Sequence, residues 1–277
     1  MADSNAPLHE KLFQQAETLL RQEIAGGKPV VAAWGLMNAG KSFLLNMLTN
    51  HIQTECFRTN DIRETAELKE FETNEFIFLD TPGLDANNGD DLIAQQGAAK
   101  ADIVLFVHQP QGELEKIEID FLHKLKESFG QYAEENIVLV LSKSDVESEE
   151  KIEAIKKRML EQCRDDLGFN PRCYAISGSR FHAGMTLKKD GLVRASHLND
   201  LVEKLNQLRR DSGAVKRERH GIAIDELIEA LKQAELALRE KHLLTTTEVR
   251  EGFRPFDKAM NDFQVWMKRN LKKFPAI

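Results

Sequence analysis

Residues 35–42 read Gly35-Leu36-Met37-Asn38-Ala39-Gly40-Lys41-Ser42, which satisfies G-x-x-x-x-G-K-[ST] at every fixed position. Ahead of it, Pro29-Val30-Val31-Ala32-Ala33-Trp34 is an apolar run with the pattern of a buried strand. Behind it, Phe43-Leu44-Leu45-Asn46-Met47-Leu48 has helix formers and no breaker. Strand, glycine loop and helix in that order make a cradle for phosphate. Glycines let successive backbone N–H groups turn inward, and the helix N-terminus adds partial positive charge. Asn38, Ala39, Gly40, Lys41, Ser42 and Phe43 are the expected contacts to a bound nucleotide. Lys41 is expected to reach the β- and γ-phosphates, and the Ser42 hydroxyl to ligate Mg²⁺.

Such a cradle needs a sheet to hold it, and the chain has the material. It has 277 residues, 42% hydrophobic and 30% charged, which suffices for one large domain or a medium domain with an appendage. The net charge of −7 argues against a chain that is basic all over and sheathes nucleic acid. Cys56, Cys163 and Cys173 are odd in number and outside any C-x-x-C pattern, so reduced thiols are expected rather than a disulfide framework or zinc site. No apolar run approaches the ~18 residues of a membrane span, and Met1-Ala2-Asp3-Ser4-Asn5 has neither the basic start nor the apolar stretch of a signal peptide. A cytoplasmic location is expected, peripheral at a membrane if the basic C-terminus described below lies on one.

Further strands are expected, several ending in polar residues. Residues 65–71 alternate as a half-exposed strand, and Glu75-Phe76-Ile77-Phe78-Leu79 returns antiparallel to it. That second strand delivers Asp80-Thr81-Pro82-Gly83: Asp80 suits the Mg²⁺ shell, and the Gly83 amide suits a γ-phosphate. Residues 84–97 read as a mobile loop and helix. Residues 101–107 form a β-branched, buried strand with His108 at its end, taken as a loop histidine. A helix over 113–130 leads to the strand 136–141 and to Ser142-Lys143-Ser144-Asp145. The Asp145 carboxylate can accept from guanine N1–H and the 2-amino group, donors that adenine lacks, while the Lys143 stem can lie along the base. After a charged helix over 149–167 and a strand over 172–176, Ser177-Gly178-Ser179 reads as a loop offering N–H groups to guanine O6. A helix near 196–210 closes the unit.

The set Gly35–Ser42, Asp80–Gly83, Ser142–Asp145 and Ser177–Ser179, each at a strand end, resembles the GTPase domain of the translation-factor-related class, in particular its Era/TrmE-like and dynamin-like branches. The resemblance covers roughly residues 29–212. It implies an α/β three-layer sandwich of the P-loop GTPase kind, with a mostly parallel sheet and one antiparallel strand. Helical extensions over 1–28 and 213–277 flank it. It implies GTP and GDP as ligands, Mg²⁺ as cofactor, and hydrolysis that is slow without a partner or self-association. The family usually has Asn, or Thr, where Ser142 stands; that residue ties the guanine loop to the phosphate loop, so a weakened tie is expected. Leu84 occupies the place of a water-positioning Gln. Relatives without that Gln dimerise across the nucleotide or use K⁺, and those using K⁺ carry an Asn at the position of Asn38. Thr65 is the expected switch threonine, catalytic and Mg²⁺-ligating, with Thr59 as the alternative. A non-hydrolysing GTP-gated interaction module is the second reading, and an ATPase the third.

Beyond Ser212-Gly213 the pattern is helical. One apolar stripe comprises Ile224, Leu227, Ile228, Leu231, Ala234 and Leu238. Another comprises Phe253, Phe256, Met260, Phe263, Met267, Leu271 and Phe274. The stripes are expected to pack on each other and on an amphipathic helix over 7–25, as a small bundle. The basic residues Lys268, Arg269, Lys272 and Lys273 beside Trp266 and Phe274 suit an anionic membrane or the phosphates of RNA or a ribosome.

Overall fold

The computed structural model describes residues 8–21, 27–52, 54, 56–57, 69–84 and 100–270. Within them the strands are β1 (Val30–Trp34), β2 (Lys69–Glu72), β3 (Ile77–Asp80), β4 (Ile103–His108), β5 (Ile137–Leu141) and β6 (Cys173–Ala175). The helices are α1 (Leu8–Arg21), α2 (Lys41–Leu48), α3 (Lys116–Phe129), α4 (Ala133–Asn136), α5 (Glu149–Leu167), α6 (Gly178–Leu187), α7 (Asp190–Ala195), α8 (Leu198–Leu208) and α9 (Ser212–Asn270). The six strands form one sheet in the order β2-β3-β1-β4-β5-β6, parallel except for the β2–β3 pair.

Side-chain chemistry explains that order. All residues of β4 and β5 are buried, as expected for strands covered on both faces. β2 carries Lys69, Glu70 and Glu72, three exposed charges that discourage pairing at an open edge. One face of the sheet is filled by Leu122, Leu125 and Phe129 of α3, Ile155 and Met159 of α5, and Val215 of α9. The other is filled by Leu44 and Leu45 of α2, Phe181 of α6, and Leu201 and Leu205 of α8. The chain leaves β1 for β3 on one side and later adds β4 on the other, so β1 is the switch point. Ligands of such sheets collect at the carboxyl ends of the strands there.

Most elements lie where the sequence pattern places them, with shifts of a few residues, and α5 matches at both ends. Ser148 caps its start by accepting from Lys151 N–H, and Gly168 closes it in the left-handed region at φ 65°. The stretch 177–179, read as a loop, is instead the cap and first turn of α6: Ser177 Oγ accepts from Arg180 N–H. The region before α8 holds α6 and α7, which the sequence reading did not assign.

The chain divides into two compact units, Gln22–Ala223 and Met1–Arg21 with Ile224–Ile277. In the first, the opening turns of α9 are fastened below the sheet. Lys216 Nζ lies 3.4 Å from Asp102 Oδ2, and Arg219 places its guanidinium 3.9 Å from the centre of the Phe129 ring. In the second, the expected bundle of two C-terminal stripes is not formed. Both stripes lie along α9, which is continuous from Ser212 to Asn270. The lone glycines at 213, 221 and 252 cost only about 1 kcal/mol each in a helix, too little to make a turn. Phe253, Phe256, Phe263 and Trp266 are 59, 58, 54 and 55% exposed. Leu271, Phe274, Lys272 and Lys273 lie outside the described residues. Among the described residues, no helix is long and apolar enough to cross a membrane.

Candidate functional site

β1 ends in Trp34 and feeds directly into the glycine loop. Gly35 has φ 145°, and a Cβ there would sit 2.0 Å from the Val107 carbonyl oxygen of β4, so no other residue fits. The loop curls through Asn38 at φ 61° and Gly40 at φ 94° into α2. Lys41 is buried, and its ammonium donates to the carbonyls of Gly35 at 3.0 Å and Leu36 at 2.8 Å. The lysine thus lies along the loop whose amides it is expected to complement.

β3 runs beside β1 and brings Asp80 to the same end. Ser42 Oγ donates to Asp80 Oδ2 at 2.7 Å. Asp80 Oδ1 is buried without a hydrogen-bond partner. Burial raises the Asp80 carboxyl above its ordinary range, offset in part by the Ser42 hydroxyl and the Lys41 charge. Thr81 Oγ1 anchors the next turn on the Ala33 carbonyl at 2.6 Å, and Gly83 follows, half-buried. Leu84 donates its N–H to the Gly35 carbonyl at 3.2 Å, and its side chain packs against the core beneath. A hydroxyl and a carboxylate with one orphaned oxygen are hard donors of the type Mg²⁺ takes. Among the described residues no cluster of three or more His, Cys, Asp or Glu competes as a metal centre. Thr65 and Thr59 lie outside the described residues.

β5 supplies the third wall. Ser142 Oγ donates to the Ala39 carbonyl of the glycine loop at 2.6 Å, so the tie expected to be weakened is made. A serine reaches because the two backbones are close: a Cβ on Gly40 would lie 3.7 Å from this hydroxyl. Lys143, at φ 51°, adds a second tie, from its Nζ to the Asn38 carbonyl at 2.8 Å. Asp145 is held from both sides: Ser177 Oγ donates to Oδ1 and Ser179 Oγ to Oδ2, each at 2.6 Å. Partial burial pushes its carboxyl upward, but the two hydroxyls outweigh that and hold it below the ordinary range. Gly178 lies against α2, where a Cβ would meet the Phe43 ring at 2.5 Å. The first turn of α6 and α2 are therefore in van der Waals contact.

These walls converge at the carboxyl ends of β1, β3, β4 and β5. A family model described as 50S ribosome-binding GTPase matches residues 30–161. These residues form a P-loop GTPase domain. An uncharacterized protein of Acinetobacter baylyi is 32% identical over 220 residues, covering 78% of this chain and 50% of that protein. The GTPase Der of Clostridium novyi is 32% identical over 128 residues, 43% of this chain and 28% of Der. The chain thus spans half, or less, of the curated relatives it matches. In fold it is similar to the LeoA bacterial dynamin GTPase from ETEC, with a TM-score of 0.53 at 16% identity, over 95% of this chain and 50% of that one.

Three residues have contacts that the sequence pattern did not assign to them. His108, read as a loop histidine, is a buried strand residue. Its Nδ1 lies 3.0 Å from Oε1 of the fully buried Glu118 and its Nε2 3.2 Å from the Gly112 carbonyl. Its own carbonyl accepts the Ser142 N–H. Asn46 is buried on α2 and makes three bonds to the backbone of residues 56–57, at 2.6, 2.8 and 3.0 Å. An amide amid the apolar run 43–48 was the available signal, since a buried amide must find partners. Ser179 had no such signal; only the tertiary fold brings it to Asp145.

Proposed function

We propose that this chain binds GTP and GDP and hydrolyses GTP to GDP and phosphate as a Mg²⁺-dependent switch. The observation that carries the reading is the pair of ties, from Ser142 and Lys143, joining the phosphate loop to the loop that presents Asp145. They make one site with a triphosphate end and a purine end. Asp145, ionised and fixed by two serines, accepts from guanine N1–H and the 2-amino group, and Ser177 and Gly178 at the start of α6 face O6. Against adenine the same carboxylate would be left unpaired, which costs about 1–3 kcal/mol.

At the other end Lys41 leaves its carbonyl partners for the β- and γ-phosphates, and the amides from Asn38 to Phe43 surround them. Ser42 and Asp80, with Thr65 from the adjoining segment, would hold Mg²⁺, which supplies charge neutralisation across the β–γ bridge. The Gly83 amide meets the γ-phosphate. Asn38 is exposed at the loop tip, where a K⁺ could be held. A nucleotide-dependent homodimer, and RNA, a ribosome or a membrane surface at the basic C-terminal helix, are the partners in keeping with this reading.

A second reading, a GTP-gated module without turnover, is favoured by Leu84: its side chain is engaged in the core and has no polar atom to orient water. Phosphate release measured in Na⁺ and in K⁺, for wild type and Lys41→Ala, separates the two. We expect slow, Mg²⁺-requiring release that is abolished in the variant. Tight GTP binding with no release under any cation would leave only the gated module, and equal binding of ATP would remove the guanine assignment.

A further inference from the structure

β4 ends in a buried ionisable pair that the nucleotide contacts do not use. His108 and Glu118 of α3 are 4 and 0% exposed. The ring places Nδ1 3.0 Å from Glu118 Oε1 and Nε2 3.2 Å from the Gly112 carbonyl, while Glu118 Oε2 accepts the Glu115 N–H at 2.8 Å. Both ring nitrogens therefore face acceptors, and a neutral imidazole has a single N–H. The pair makes all its bonds only when it holds two protons, as imidazolium with carboxylate or as imidazole with carboxylic acid. Losing one sets two acceptors against each other, at Glu118 or at Gly112. The other neighbours do not supply that proton. Across the sheet stands Leu141 of β5, and α5 meets the loop through the neutral Gln162, bonded to Leu114 N–H and carbonyl. Glu113, Glu115 and Lys116 are exposed, and Lys143 directs its ammonium to Asn38 and Gln109.

What the ring braces is the support of the purine wall. The His108 carbonyl accepts the Ser142 N–H at 2.8 Å, and the next residue, Gln109, accepts from Lys143 Nζ at 3.2 Å. Ser142 and Lys143, the two ties between the phosphate and purine ends, thus both lean on the segment that the ring pins to Gly112 and α3. We propose that His108 is a positioning residue for the guanine nucleotide: the proton it shares with Glu118 holds residues 108–112 against Ser142 and Lys143, so that affinity falls when the proton leaves. This rests on the guanine-nucleotide reading above.

The test is calorimetric titration of GDP in Mg²⁺ buffer into the full-length chain, from about pH 6 to about pH 9, the span in which a histidine pair exchanges its proton. The wild-type Kd should rise about threefold or more, the effect of one lost hydrogen bond. In Glu118→Gln the amide can donate to Nδ1 and still accept the Glu115 N–H. A neutral ring then keeps Gly112 with no shared proton to lose. Its Kd should match wild type within about twofold at the acid end and show no such rise. Titration of the nucleotide itself is common to both proteins, so the difference between the two profiles is the readout. Glu118→Ala, checked for folding by circular dichroism, should bind about three- to tenfold more weakly throughout; should it not fold, the glutamine comparison decides alone. Parallel profiles for wild type and Glu118→Gln would overturn this proposal and leave the nucleotide reading standing. A wild type that takes up no GDP at any pH would remove both.

Discussion

Ser142 stands where a longer side chain is usual, yet its hydroxyl spans from β5 to the Ala39 carbonyl. Its replacement by alanine removes one hydrogen bond, worth about 0.5–1.5 kcal/mol net. We expect Ser142→Ala to raise the Kd for GDP about three- to tenfold with the preference for guanine over adenine unchanged; isothermal titration with both nucleotides checks it. Asp145→Asn should instead collapse that preference, since the variant offers a donor where guanine presents donors. Gly35→Ala is a different kind of change. Its Cβ would fall within 2.0 Å of a strand carbonyl, so either β1 or β4 must move. Loss of several kcal/mol, of the size of other overpacked or strained sites, is expected in chemical denaturation.

Among the elements, α2 does more than follow the glycine loop. Asn46 on it holds the backbone of residues 56–57, with Phe57 sunk in the core at 1% exposure, so phosphate helix and downstream segment share an anchor. Asn46→Ala should cost about 3 kcal/mol, because buried backbone donors lose their partner, and urea unfolding measures it. At the far end of the sheet, Asp102 is buried beneath α9 and its carboxyl is raised by burial, with the Val30 N–H and Lys216 offsetting only part. A carboxyl raised in the folded state binds its proton more tightly there than in the unfolded chain. Stability therefore falls as pH climbs from the ordinary carboxylate range through the raised value, and is regained on acidification. Asp102→Asn, which can still accept the Val30 N–H, should flatten that decline in a series of thermal melts.

The legibility of these elements follows from their physics. β4, β5 and α5 were plain because burial on two faces, or a serine cap with a terminal glycine, writes an unbroken local pattern. α6 was not, because Ser177-Gly178-Ser179 is equally good as a turn until Ser177 finds Arg180 and Asp145. His108 was misjudged for a related reason. Only the position of Glu118, ten residues on and in a helix, makes a strand-end histidine a buried partner. Periodicity found the C-terminal stripes correctly but could not say what they face, since the same seam serves a bundle or a pair of long helices.

For the molecule as assembled, two units imply two separable behaviours. The proposed nucleotide contacts fall within residues 22–223, and the exposed C-terminal apolar stripes within 224–270. Phe263→Asp should therefore leave the Kd for GDP within about twofold, measured by titration calorimetry.

The bonds from Ser142 and Lys143 into the glycine loop carry one more implication. Parts of a ligand occupying opposite ends of such a groove stiffen a common hinge, so each makes room for the other at reduced entropic expense. Guanosine and inorganic tripolyphosphate, added together but unlinked, should thus bind more tightly than either does singly, and severing the serine hydroxyl should turn them into strangers.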